Sequence, residues 1–213
     1  MLAFLDFIDP KRLIEDFGTA GLILIVFIES GLLPAPLPGD SLLFIAGFAA
    51  STSTAGTLPH LNLGVVLVGA LVAAIVGAQL GYLIGAKWGI RLFKPDAKLF
   101  KTEYAERAEA FFERQGPKAV VLARFIPFVR TIAPMMAGAG SMRARVFAIY
   151  NVLGALLWAV GVTLLGFFLG DTIGEDNIDK YLLPIVALIV VLSLIPPFLE
   201  YRKHRRGRAT TER

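Results

Sequence analysis

Residues 63–86 run for 24 positions without a charged side chain. A helix rises about 1.5 Å per residue, so this run reaches roughly 36 Å and can cross a hydrocarbon core of about 30 Å. Other apolar stretches lie at 19–50, 119–140, 146–170 and 181–199, and 56% of the 213 residues are hydrophobic, with a mean hydropathy of +0.68. A soluble chain of this length would have to bury all of these runs in one core, whereas a bilayer accepts them directly. The chain is therefore expected to be an all-α polytopic membrane protein. It has no cysteine, which excludes disulfides, thiolate metal sites and cysteine nucleophiles. Its two histidines, His60 in a loop and His204 in a basic tail, leave no His-based metal or acid–base site in the membrane. No metal or other cofactor is expected, and no nucleic-acid partner.

In chain order the pattern repeats. Residues 1–18 carry Asp6, Asp9, Lys11, Arg12, Glu15 and Asp16, unlike a signal peptide. Asp9-Pro10 opens, and Gly18 closes, a short amphipathic helix suited to the membrane surface. Residues 19–50 hold two apolar arms of about ten residues around a Pro/Gly turn with Pro34, Pro36, Pro38 and Gly39. Each arm reaches about 15 Å, half a bilayer core, which suggests a re-entrant hairpin; the alternative is one tilted, kinked span. Residues 63–86 follow as a transmembrane helix with a small-residue ladder that includes Gly77, Gly81 and Gly85. Such a ladder suits close helix packing and permits a homo-oligomer. Residues 98–116 form a second amphipathic helix stopped by Gly116-Pro117, residues 117–142 a second two-armed segment, and residues 146–170 and 181–199 two further spans. The fold expected is two inverted repeats of amphipathic helix, re-entrant helical hairpin and transmembrane helix, plus a C-terminal transmembrane helix. Basic residues place segment 87–118, Arg143, Arg145 and the tail 200–213 in the cytoplasm. The N-terminus lies outside if 19–50 is a hairpin and inside if it is a kinked span.

The second two-armed segment holds the sequence R-F-I-P-F-V-R-T-I-A-P-M-M-A-G, from Arg124 to Gly138. An arginine at the centre of a membrane helix costs roughly 2.5–3.5 kcal/mol, so Arg124 and Arg130 require anionic partners. Pro127 and Pro134 each lack an N–H, so the backbone is expected to break there and at Gly138. Broken backbone at membrane depth needs protein or a water-filled cavity to satisfy it. The acids at the same depth are Glu29 and Asp40. The four charges can act as a structural clamp. They can also act as a transport site, with Arg124, Arg130 and the Thr131 hydroxyl holding an anion and Glu29 and Asp40 exchanging protons. Two guanidiniums match a phosphate monoester through forked hydrogen bonds.

At these positions the chain resembles the DedA family. The resemblance rests on Glu29, Pro34-x-Pro36-x-Pro38-Gly39-Asp40, Gly77-x3-Gly81-Tyr82-x2-Gly85, F-I-P-F-V-R ending at Arg130, and Asn151-x2-Gly154-x3-Trp158. It implies a bacterial inner-membrane protein with facing re-entrant loops that moves a lipid phosphate carrier, notably undecaprenyl phosphate, using the proton motive force. It also implies that Glu29, Asp40, Arg124 and Arg130 are the essential acidic and basic residues. Asp40 stands where many members carry Glu. Three other readings compete: an uncoupled phospholipid scramblase, a lipid-diphosphate phosphatase, and a non-transporting assembly or packing factor favoured by the glycine ladder. The phosphatase would need a nucleophile, for which Ser30, Ser41 and Thr131 are the nearby hydroxyls. The chain is accordingly expected to be a transporter and not an enzyme.

Overall fold

The computed structural model describes residues 10–32, 39–51, 60–92 and 102–173, and every regular element among them is helical. The N-terminal nine residues, the prolines at 34, 36 and 38, the expected span 181–199 and the tail 200–213 lie outside the described residues. Helix α1 is Pro10–Glu29, interrupted at Gly18, whose φ of 55° and ψ of −147° are not helical. Helix α2 is Gly39–Ala49 and α3 is Leu63–Trp88. Asn62 caps α3 by accepting the Val65 N–H at 3.1 Å, and Gly89 ends it with a φ of 57°. After α4, Thr102–Gln115, Gly116 (φ 59°) and Pro117 stop the helix, and α5 is only Ala119–Ala123.

The chain then breaks at 124–126. Three successive amides bond three residues back, and Ile126 turns extended (φ −113°, ψ 105°) before Pro127 starts α6, Pro127–Ala139. The residue before a proline is pushed out of the helical region, and Pro itself suits the first helical position. Pro134 and Gly138 depart from the expected turn positions, since both lie inside α6. Pro134 removes one amide without ending the helix, and Gly138 is a packing position. Helix α7 is Ala144–Ala155, followed by a π-turn at Leu156–Val160 and α8, Gly161–Ile173.

Two stretches are long and apolar enough to cross a bilayer: Leu63–Trp88, 26 residues of mean hydropathy 2.4, and Ala144–Thr172, 29 residues of mean hydropathy 2.3. Their polarity is inverted relative to a soluble core helix. On α3 the large side chains Val65, Val68, Val72, Val76, Leu80 and Leu83 are exposed, while Ala73, Ala74, Gly77, Ala78 and Gly81 are buried. Small residues inside and large ones outside is the pattern of a helix that packs on protein and faces lipid. The apolar helices Gly18–Glu29 and Gly39–Ala49 are much shorter. At about 1.5 Å per residue they reach roughly 16–18 Å, half of a ~30 Å core.

Helix α2 packs along α8, and α6 packs along α3. Both contacts use the same device. Gly47 of α2 abuts the Thr163 carbonyl, and Gly166 of α8 abuts the Phe44 carbonyl. Gly138 of α6 likewise abuts the Tyr82 carbonyl, and Gly85 of α3 abuts the Met135 carbonyl. In each helix the glycine follows the touched carbonyl by three residues. Gly77 of the ladder meets α1 at the Phe27 carbonyl, and Gly81 meets the turn after it at the Gly31 carbonyl. Tyr82 donates its hydroxyl to the Met142 carbonyl and stacks on Phe147 at 4.6 Å, tying α3 to the start of α7.

A methyl group at Gly85 would collide with the α6 backbone, whereas one at Gly161 has no neighbour within 4 Å. Gly85→Ala is expected to destabilise the fold by about 1–3 kcal/mol, the usual effect of overpacking. Gly161→Ala should be neutral or slightly stabilising, since Ala favours helix over Gly. Thermal unfolding of the two variants in detergent checks this, and equal melting temperatures would contradict the packing described.

Candidate functional site

The breaks between short helices put chain ends, with their charges, inside the molecule. Glu29 is the last residue of α1, Asp40 the second of α2, Arg124 follows α5, and Arg130 sits in the first turn of α6. The sequence scatters these residues over a hundred positions, and the fold gathers them beside the middle of α3 and the π-turn after α7. Glu29 is 1% exposed and both arginines are 8% exposed.

Arg130 binds both acids. Its Nη1 donates to Asp40 Oδ1 at 2.7 Å, and its Nη2 donates to Glu29 Oε1. Asp40 Oδ1 also accepts from Trp158 Nε1 at 2.7 Å, and the Arg130 guanidinium carbon lies 5.0 Å from the Trp158 ring centre. Gly39 lies against Glu29 so closely that a Cβ would overlap Oε2, and its backbone N–H lies beside that carboxylate. The start of α2 therefore presents its positive dipole end to Glu29. Glu29 Oε2 and Arg130 Nε make no well-formed hydrogen bond.

Arg124 is held differently. Its Nη2 donates to Asn151 Oδ1 at 2.5 Å and to the Ala74 carbonyl at 3.1 Å, and among the described residues it has no carboxylate partner. Asn151 Nδ2 in turn donates to the Ile75 carbonyl at 3.0 Å. The Arg124 guanidinium carbon lies 5.9 Å from the Trp158 ring centre, so one indole neighbours both arginines.

A cavity of about 20 Å³, lined by residues including Glu29, Ser30, Arg124, Arg130, Asn151 and Trp158, lies at this centre. A water needs roughly 10–15 Å³ of such volume, so the space admits a single water and not a phosphate group. The conformation is closed. Pro134 also lines it, and its missing N–H leaves the Arg130 carbonyl without its ordinary helical donor. Ser30 donates to the Val26 carbonyl at 2.6 Å, and Thr131 is buried nearby without lining the cavity.

Thus the structure joins Glu29, Asp40 and Arg130 directly and sets Arg124 beside them. Sequence reasoning did not place Asn151 or Trp158 at the site. The signal was present, because an Asn in an apolar span must find a partner, and Asn151, Gly154 and Trp158 recur at helical spacing.

Helices with lipid-facing large residues around a buried ionic centre define an all-helical membrane protein. Residues 37–173 match the VTT domain, and the chain belongs to the DedA family. It is 44% identical over 204 residues to the protein DedA of Escherichia coli K12, covering 93% of this chain and 90% of that one. An uncharacterised membrane protein of Mycobacterium tuberculosis is 38% identical over 196 residues, covering 90% of this chain and 85% of its own length. The inner membrane protein YghB of Salmonella typhimurium is 35% identical over 176 residues, covering 80% and 78% respectively. No solved structure matches the chain.

Removing Arg130 would leave two carboxylates facing each other in a buried site. Arg130→Met is expected to destabilise the fold by about 3–5 kcal/mol, the range for breaking a buried ion pair. Asp40→Asn keeps an oxygen that can accept from both Arg130 and Trp158, so it should have a smaller effect. Denaturation of purified variants in detergent compares the two; a harmless Arg130→Met would contradict the ion triad.

Proposed function

We propose that this protein is a proton-motive-force-dependent flippase for a lipid phosphate carrier, namely undecaprenyl phosphate returned to the cytoplasmic leaflet for envelope synthesis. The observation that carries this reading is the unequal pairing of the two buried arginines. Arg130 is neutralised by two carboxylates, while among the described residues Arg124 is bonded only to neutral groups. With all four side chains ionised the centre is neutral, and its cavity is too small for a head group. Protonation of Glu29 and Asp40 would free Arg130 and leave two positive charges, which match a dianionic phosphate. Proton and anion binding would then reinforce each other, and by linkage the reinforcement is mutual. Protons entering with their gradient would carry the head group inward, while the polyprenyl tail stays in lipid.

The architecture that serves this function is two inverted repeats, each with a re-entrant pair of short helices and a transmembrane helix. The matched glycine–carbonyl contacts of α2 with α8 and of α6 with α3 support it, as do the half-bilayer lengths of Gly18–Glu29 and Gly39–Ala49. Inverted repeats with broken helices meeting near the midplane are the transporter plan. Relatives named inner membrane proteins support a multi-pass protein of the bacterial inner (plasma) membrane, with the basic C-terminus cytoplasmic. The partners are membrane lipids and protons, and the protein works as a transporter and not an enzyme. Gly77, Gly81 and Gly85 are taken up by contacts within the chain, so a homo-oligomer would use other surfaces.

The test is head-group translocation of labelled undecaprenyl phosphate in proteoliposomes, with and without an imposed proton gradient. Wild type is expected to move it faster with the gradient. Arg124→Ala is expected to abolish movement while the protein still inserts. Equal movement of many phospholipids without a gradient would make it a scramblase, release of phosphate from a lipid diphosphate a phosphatase, and no movement at all would leave the charges as a clamp.

A further inference from the structure

We infer that Arg124 is the standing anion site of this centre and that Asn151 is the positioning residue that keeps its charge available. The inference rests on the lipid-phosphate reading above and assigns unequal roles to the two arginines. Helix α7 builds a cradle for Arg124 from two residues three apart. At Gly154 an added Cβ would lie 2.9 Å from Arg124 Cδ and 3.2 Å from Val121 Cα, so the glycine clears a path for the arginine stem. Asn151, one turn earlier, receives the guanidinium at 2.5 Å.

The orientation of the Asn151 amide follows from its other contact. The Ile75 carbonyl can only accept, so the Asn151 group facing it at 3.0 Å is Nδ2, and the group facing Arg124 is Oδ1. A neutral amide thereby satisfies part of the guanidinium and anchors it to α3 without cancelling its charge. The Ala74 carbonyl does the same at 3.1 Å. A carboxylate of the same shape at position 151 would make a stronger, charge-assisted bond and neutralise Arg124. Arg130 already has that arrangement, with two acids. An incoming phosphate therefore meets Arg124 as the unopposed cation, and Arg130 joins only when an acid releases it. Both guanidiniums lie near the one indole of Trp158, Arg130 at 5.0 Å and Arg124 at 5.9 Å from its ring centre.

The charge of residue 151, rather than its shape, is then what binding depends on. The experiment uses the full chain in lipid nanodiscs titrated with farnesyl monophosphate, with farnesol as the uncharged control, followed by tryptophan fluorescence and thermal stabilisation. Wild type should bind the phosphate in preference to the alcohol. Asn151→Asp should weaken phosphate binding by at least about tenfold, a loss of one decade in affinity. Asn151→Ser, which keeps a neutral acceptor, should stay within about threefold of wild type, less than half a decade. Wild-type affinity in Asn151→Asp would overturn the inference, as would an equal loss in both variants, which marks a merely structural role. If Asn151→Asp does not fold, Asn151→Ser decides: retained binding supports the neutral clasp, and lost binding in protein that elutes and melts like wild type overturns it. A wild type that binds farnesyl monophosphate no better than farnesol would instead sink the lipid-phosphate reading itself, and this inference with it.

Discussion

Everything at the centre of this protein hangs on one guanidinium that holds two carboxylates from different helices. Arg130 draws together the end of α1 and the start of α2, so the two short arms meet where their charges are matched. In water such contacts are weak, because the charges are well solvated when apart. In a low-dielectric interior the unpaired alternative is far more costly, so the pairing dictates where the arms end. The same fact makes the centre responsive. Anything that competes for Arg130, a proton on the acids or an anion on the arginine, acts directly on the contact that joins the arms.

The ionic centre could not form without close helix packing. Beside it, Leu22 and Val26 of α1, Leu42, Ile45 and Phe48 of α2 and the small residues of α3 form a buried apolar cluster, while most bulky side chains of α3 point outward. The helices of this cluster are also held backbone against backbone, through glycines set opposite carbonyls. Without a hydrophobic driving force between helices in lipid, such contact is the main source of attraction left. Rigid glycine-packed helices thus frame the short arms, whose inward ends carry the charges. The π-turn at Leu156–Val160 adds one more local departure, and it is the turn that presents Trp158 to Asp40. Extra residues in a helix turn recur at functional sites.

Much of this was legible in the residues. Gly116-Pro117 stops a helix wherever it stands, and Pro127 sets the break after Arg124 because a proline constrains its predecessor. The four charges of the centre are identifiable because ionisable residues in apolar runs need partners. Pro134 and Gly138 look like turn residues in the sequence, yet both lie inside α6. A proline within a helix removes one hydrogen bond, and neighbouring helices can hold the helix together regardless. No local signal separates that outcome from a break. Gly138 is explained only by what lies across from it, the Tyr82 carbonyl.

The sequence by itself determined that this is a helical membrane protein, that helices stop at Gly116-Pro117 and restart at Pro127, and which charges need partners. Those follow from hydropathy, from proline and glycine geometry, and from the cost of an unpaired charge, all properties of local composition. Only the tertiary structure decided how the charges are shared: both acids on Arg130, and an amide with one backbone carbonyl on Arg124. Two acids and two bases allow several pairings of nearly equal chemistry. The choice among them is a matter of distance and direction in space, set by which helix faces which.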